Sequence, residues 1–129
     1  MSNKTDEESF LSLLYHGLRA RRRREVIHLI HATDILPLSV RSLAREITAT
    51  EHGLSRAQAT GEPYRNVYNA LCQSHLPTLA DASIVIYDSK RQTVDEGPNL
   101  LLAVFLVKIS RPAVEMLQGG ESADSDNPW

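Results

Sequence analysis

Three side-chain amides stand at helical spacing in the middle of this chain: Asn66, Asn69 and Gln73, three and four residues apart. An amide offers a donor and an acceptor side by side, which is what the N6 and N7 edge of adenine can accept and donate to in the major groove. Arg65 flanks the row and has the reach for guanine or a phosphate. A row of this kind is also what the solvated face of any amphipathic helix looks like. Its meaning therefore depends on the elements that carry it.

A second concentration of chemistry is cationic. Arg19 and the run Arg21, Arg22, Arg23, Arg24 precede an apolar helical stretch. Cations near a helix N-terminus cost roughly 0.3–1 kcal/mol each at low salt, so the stability of that helix does not explain them. Contact with phosphates does, through counterion release, and Arg21, Arg22 and Arg23 are the candidates. Pairing with Glu25, Asp34 or a neighbouring helix is the competing structural account. Arg41 and Arg45 lie four apart and share one helix face. Lys90 and Arg91 fall at the polar tip between two β-branched stretches. All of these are candidate contacts to a DNA backbone.

Metal and covalent chemistry are less well supplied. His28 with His31, and Cys72 with His75, are i, i+3 pairs that together offer a tetrahedral donor set. Cys72 and His75 also fall on the inward face of their helix, and no closed zinc spacing is present, so no metal and no cofactor are expected. A thiol buried by helix packing is a poor nucleophile, and there is no phosphate-cradling glycine loop and no nucleophile elbow. The chain is not expected to be an enzyme.

The elements follow from periodicity. Residues 1–8 are polar and read as a disordered tail. A short helix is expected from Ser9 through Leu18, with Gly17 as a possible break, and a second from about Arg19 to Ala32 with Val26, Ile27, Leu29 and Ile30 inward. After the extended Leu36-Pro37-Leu38, Ser39 caps a third helix from Val40 to about Glu51, with Val40, Leu43, Ala44 and Ile47 inward. Residues 53–62 read as a loop. A fourth helix, about 63–82, starts at Pro63 and turns Tyr64, Val67, Tyr68, Leu71, Cys72, His75, Leu76 and Leu79 to the core, with a disturbance at Pro77. A hairpin over 84–94 pairs Ile84–Tyr87 with Thr93–Val94. A final helix from Asn99 to about Leu117 contains Pro112, and residues 118–129 read as a disordered acidic tail.

Helix pair, then hairpin, is the order of a winged helix-turn-helix, in which the second helix of the pair enters the major groove and the wing lies near the backbone. The junction His75-Leu76-Pro77-Thr78-Leu79-Ala80-Asp81-Ala82-Ser83-Ile84-Val85 has the Leu-x-x-Leu-x-x-Ala-x-x-Val spacing of small winged-helix repressors. Arg21-Arg22-Arg23, then Val67-Tyr68 with Leu71, His75-Leu76-Pro77 with Leu79, and Val85-x-Tyr87-Asp88 resemble a poorly characterised family of small winged-helix proteins common in halophilic archaea. The resemblance covers about residues 10–94. It implies a DNA-binding type of fold, a regulatory role and no catalytic residues, and it carries over no functional positions. This chain is less acidic than a typical halophilic cytoplasmic protein, and it has Ser83 where the turn into the wing usually has a glycine.

Composition bounds these readings. The 129 residues carry 14 Lys and Arg against 16 Asp and Glu, a net of -2, which excludes a polybasic histone-like protein. Both ends are acidic, and residues 10–91 hold 11 bases against 7 acids, a net of +4 that suits a polyanionic partner. A single cysteine excludes a disulfide framework. The start MSNKTDEES has no apolar signal segment, and the longest apolar run, Leu100–Val107, falls far short of the roughly 20 residues that span a bilayer. The expected compartment is the cytoplasm, with no membrane partner.

The last helix is apolar around its circumference, more than one small domain can cover, so a homodimer through Leu101, Val104, Phe105 and Lys108 is expected. The fold class read from the sequence is mainly α with a small β-hairpin: a winged helix-turn-helix domain over 9–96 and a dimerisation helix over 97–117. The function read from it is a sequence-specific DNA-binding transcriptional regulator. The alternatives are a winged-helix module that binds protein instead of DNA, and a regulator sensing metal or redox state through Cys72.

Overall fold

The computed structural model describes residues 4–117, and side chains within 6–110; the tail expected over 118–129 lies outside the described residues. Helix α1 (Lys4–Leu18) begins well before Ser9, so residues 4–8 are helical and not a frayed tail. Asp6 and Glu7 lie in its first turn, where negative charge meets the positive end of the helix dipole. Gly17 does not break the helix. It is buried, and a Cβ there would come within 3.1 Å of Ile84 Cδ1, so the missing side chain lets α1 approach the sheet end closely.

Helix α2 (Arg21–Ala32) is central, packing on α1, on α3 (Val40–His52) and on α6 (Leu100–Leu117). Val26, Ile27 and Ile30 are buried and Leu29 is half-buried, as the periodicity predicts. In α3 the inward set Val40, Leu43, Ala44 and Ile47 is fully buried. Ser39 Oγ accepts the Ser42 amide N–H at 3.0 Å to start the helix. Gly53, at φ 62, ends it in the left-handed conformation that glycine adopts without a Cβ clash.

The segment expected as a loop over 53–62 has structure of its own. Arg56–Gln58 is a 3₁₀ turn, with Ser55 and Gln58 closing a reciprocal capping box. Helix α4 (Gly61–Ala70) then begins two residues before Pro63, which lies within its first turn. It continues into a π-helical turn (Leu71–His75) and into α5 (Leu76–Asp81), one rod in three parts. The buried residues Leu71 and Leu76 are five apart, which matches the wider π turn. Pro77 has no N–H to give the preceding turn and its ring crowds a carbonyl there, so the widening accommodates it where a regular helix would bend or break.

Strands β2 (Val85–Asp88) and β3 (Thr93–Glu96) form an antiparallel hairpin, with Tyr87 opposite Val94 and Val85 opposite Glu96. The ladder thus extends two residues further along the second strand than the sequence suggests. The extended stretch contributes β1 (Leu38–Ser39), antiparallel to β3, so the sheet has three strands in the order β1-β3-β2. Ser83 has φ 58, so a serine adopts the left-handed conformation at the turn into β2. The whole is mainly helical with a small three-stranded antiparallel sheet, an arrangement compatible with a winged-helix-like fold.

The core joins Leu14 of α1, the α2 and α3 faces, Val67, Leu71, Leu76 and Leu79 of the rod, Ile84, Val85 and Val94 of the hairpin, and Leu100 and Ala103 of α6. Truncating one such residue to alanine costs about 2–5 kcal/mol. No helix among the described residues is long and apolar enough to cross a membrane.

Candidate functional site

The rod presents the amide row outward. Asn66, Asn69 and Gln73 are all exposed, as is Arg65, while Val67, Leu71, Leu76 and Leu79 are buried on the opposite side. The π turn lies under Gln73 and leaves it exposed. No part of the described chain covers this face. Four groups able to bond base edges or phosphates therefore stand along one surface of the rod.

Beyond the core packing of Ile84, Val85 and Val94, the wing is bonded to that rod through Gln92. Tyr68 Oη donates to Gln92 Oε1 at 2.6 Å, and the Cys72 thiol donates to the same oxygen at 3.2 Å. Gln92 Nε2 donates to the Ser89 carbonyl at 2.7 Å, within the hairpin tip. Gln92 itself has φ 55. At the tip, Asp88 Oδ1 accepts the amide N–H groups of Lys90 and Arg91, each at 3.0 Å, which shapes the turn and leaves both basic side chains exposed. Gln92 was not foreseen from the sequence, since its role rests on residues 20 and 24 positions earlier.

The arginine run divides. Arg23, read as a phosphate contact, is only 7 % exposed. Its guanidinium donates to the carbonyls of His16 at 2.8 Å and Gly17 at 3.1 Å, and lies 3.3 Å from His75 Nδ1. Arg24 Nη1 donates to the Leu18 carbonyl at 2.6 Å and the Arg19 carbonyl at 2.8 Å. These carbonyls belong to the C-terminal end of α1 or follow it directly. The cations that are misplaced for the dipole of α2 are well placed for the negative end of α1. That corrects the phosphate assignment for Arg23, whose guanidinium is committed inside the fold. Arg22 forms a two-point ion pair with Glu51, Nε to Oε2 at 2.6 Å and Nη2 to Oε1 at 2.8 Å, joining α2 to the end of α3. That hydrogen bonding holds the Glu51 carboxyl below the usual range. Arg22 is thus engaged as well, and Arg21 remains exposed.

His75 faces the Arg23 guanidinium. Burial, and then Arg23, push its imidazole below the ordinary histidine value. Cys72 is turned to Gln92. Among the described residues no group of three or more His, Cys, Asp or Glu side chains is placed to hold one ion.

On the same side of the rod, one turn before the wing contacts, a cleft of about 540 Å³ opens between the start of α3, the 3₁₀ turn and the start of α4, where Tyr64 stands four residues before Tyr68. Arg41, Arg45 and Arg56 line it, with Ser39, Ser42, Thr60 and Tyr64. Arg41 and Arg45 are exposed, and neither makes a hydrogen bond or ion pair among the described residues. Arg56, in the stretch read as a loop, donates to Ser42 Oγ at 3.2 Å and pairs with Glu46 at 3.3 Å. The Ser55-x-x-Gln58 capping pattern was the available sign that this stretch is ordered.

Away from these groups, α6 packs Leu100 and Ala103 inward and leaves Leu101, Leu102, Phe105 and Ile109 exposed. Val104 is half-buried and Lys108 exposed. The neighbouring α1 likewise exposes Phe10, Leu11, Leu13 and Tyr15.

Taken together, this is a mainly helical domain with a three-stranded sheet, which carries an exposed amide row, a basic cleft and a basic hairpin tip. The chain belongs to the family described as a domain of unknown function, DUF7344, whose model matches residues 15–95. The match runs from within α1 to within β3 and stops before α6. No curated protein and no solved structure matches the chain.

Proposed function

We propose that this chain is a sequence-specific DNA-binding transcriptional regulator that acts as a homodimer. The α4–α5 rod enters the major groove, Asn66, Asn69 and Gln73 read adenine edges, and Arg65 reads guanine or holds a phosphate. The hairpin, as a wing, brings Lys90 and Arg91 to the backbone, and Arg41 and Arg45 bind phosphates from the cleft. The observation that carries this reading is the uncovered amide row on a rod whose neighbouring cleft and hairpin tip both expose cations. Likeness to the winged-helix proteins of halophilic archaea is part of the same proposal and supports it through the Leu76–Val85 junction.

The outer faces of α1 and α6 support the dimer. Apolar groups left in water at Leu101 and Phe105, 66 % and 57 % exposed, gain about 25 cal/mol per Å² when covered. A two-fold pair sets its two rods roughly 34–36 Å apart, one helical turn of DNA. Phe105→Asp yields monomers in sedimentation velocity; a persistent dimer puts the interface elsewhere.

The direct test is fluorescence anisotropy with duplex DNA over a salt series. Each neutralised phosphate contributes about -0.9 to the slope of log affinity against log salt. Arg41, Arg45, Lys90 and Arg91 together predict about -4 per subunit. A slope near zero, or no binding at low salt, favours the rival reading, a winged-helix protein-interaction module. That reading draws its support from the same exposed apolar faces and from the net charge of -2.

A further inference from the structure

We propose that the cleft between α3, the 3₁₀ turn and α4 is a phosphate-binding site, built by Arg41, Arg45 and Arg56 together with the hydroxyls of Ser42 and Thr60. Three guanidinium groups converge on one concavity, and no carboxylate lines it. Guanidinium forks match phosphate oxygens two at a time, and hydroxyls supply single donors beside them. Ser42 is already oriented, its hydroxyl accepting from Arg56 and from Ser39 Oγ at 3.1 Å. Glu46 draws on Arg56, but that pair is open to water, with side chains 55 % and 42 % exposed. Such a pair contributes little, so the guanidinium can turn to a phosphate at small cost. A cleft of about 540 Å³ lies within the range of small-ligand sites, roughly 300–1,000 Å³, and takes a phosphate with its attached sugar.

The shared chemistry has two sources. A backbone phosphodiester of duplex DNA reaches the cleft when the rod lies in the groove, since Tyr64 at the start of the rod lines it; this source rests on the DNA-binding reading. A free phosphorylated small molecule is the other source, and it would occupy the cleft at the expense of the duplex.

The test uses the full chain, labelled for amide and arginine Nε resonances. Sodium phosphate and pyrophosphate are added against sodium chloride at matched ionic strength. The proposal predicts saturable shifts at Ser42, Arg56 and Thr60, at least fivefold weaker affinity in Arg45→Gln and Arg56→Gln, and no change in Arg91→Gln. Neither cleft arginine is buried, so both variants fold, which a thermal melt verifies. In a second arm, duplex DNA replaces phosphate. Movement of the same resonances, with a salt slope shallower by about 1 in Arg56→Gln, assigns the backbone as source. Saturation by phosphate without response to duplex upholds the site, assigns the free ligand and removes this contact from the DNA reading. Non-saturating shifts equal to those in chloride, or variants that bind phosphate like the parent chain, overturn the site even where duplex binding persists.

Discussion

Two groups of arginines lie in this molecule, and they have opposite fates. Arg22, Arg23 and Arg24 are adjacent in sequence and form its densest charge. All three are bound within the fold, to Glu51, to the end carbonyls of α1 and to the carbonyls that follow it. Arg41, Arg45 and Arg56 are scattered in sequence, yet they converge on one open cleft. Consecutive residues on a helix point about 100° apart, so a run of like charge spreads around the axis and meets several neighbours. Residues four apart share a face and stay together. Charge density along a chain is therefore a poor guide to charge available at a surface.

Exchanging the two groups gives the sharpest contrast. Arg23→Ala leaves the His16 and Gly17 carbonyls without their donor in a buried place and opens a void. It should destabilise the fold by about 3 kcal/mol in urea melts. Arg45→Ala should change stability by no more than about 0.5 kcal/mol, yet weaken binding to every duplex about tenfold and flatten the salt slope. A stable Arg23→Ala, or an unstable Arg45→Ala, would erase the distinction drawn here.

Next in size are the amides of the rod. Asn69→Ala and Gln73→Ala should each cost about 1–3 kcal/mol of preference for a cognate site over random DNA, with melting unchanged. Equal loss on all sequences would reduce the row to a positioning role. Arg22→Ala is smaller again, about 1 kcal/mol of stability, because the pair with Glu51 is partly exposed. Glu51 favours its charged form in the fold, so its contribution is present above the ordinary carboxylate value near 4.5 and is lost as pH falls below it. Arg22→Ala should remove that acid loss, as read from melts between pH 5 and 3.

The smallest effect belongs to His75. Its pKa is lowered by burial and by Arg23, so the fold favours the neutral ring. The stability that gives is present above about 6.5 and declines as pH falls through the lower folded value. His75→Gln keeps an acceptor for Arg23 and should flatten the melting profile between pH 7 and 5. An unaltered profile would mean that neither burial nor Arg23 disfavours the charged ring.

Much of this architecture is legible in the chain itself. The inward set of α3 and the outward row at the start of the rod follow from one period of 3.6, because the buried positions of those helices obey it. The hairpin is legible from its β-branched flanks, though the pairing of Leu38 and Ser39 onto β3 is not, since two residues carry no pattern. The fate of Arg23 is hidden for a different reason. Its partners are backbone carbonyls at the end of the preceding helix, and every residue type carries a carbonyl. The tether through Gln92 is hidden likewise, resting on contacts across more than twenty residues. Arg56 escapes notice because a stretch with two glycines and little apolar content gives no helical period.

The central claim is that the rod meets duplex DNA through its amides. Titrating a short duplex into the labelled chain at low salt, and following the side-chain NH₂ resonances of Asn66, Asn69 and Gln73, tests it most directly. The account predicts that all three move and saturate together with the Lys90 and Arg91 amides, while the Arg23 Nε signal stays in place. Unmoved amides at saturating duplex, or movement confined to Arg23 and its neighbours, would contradict it.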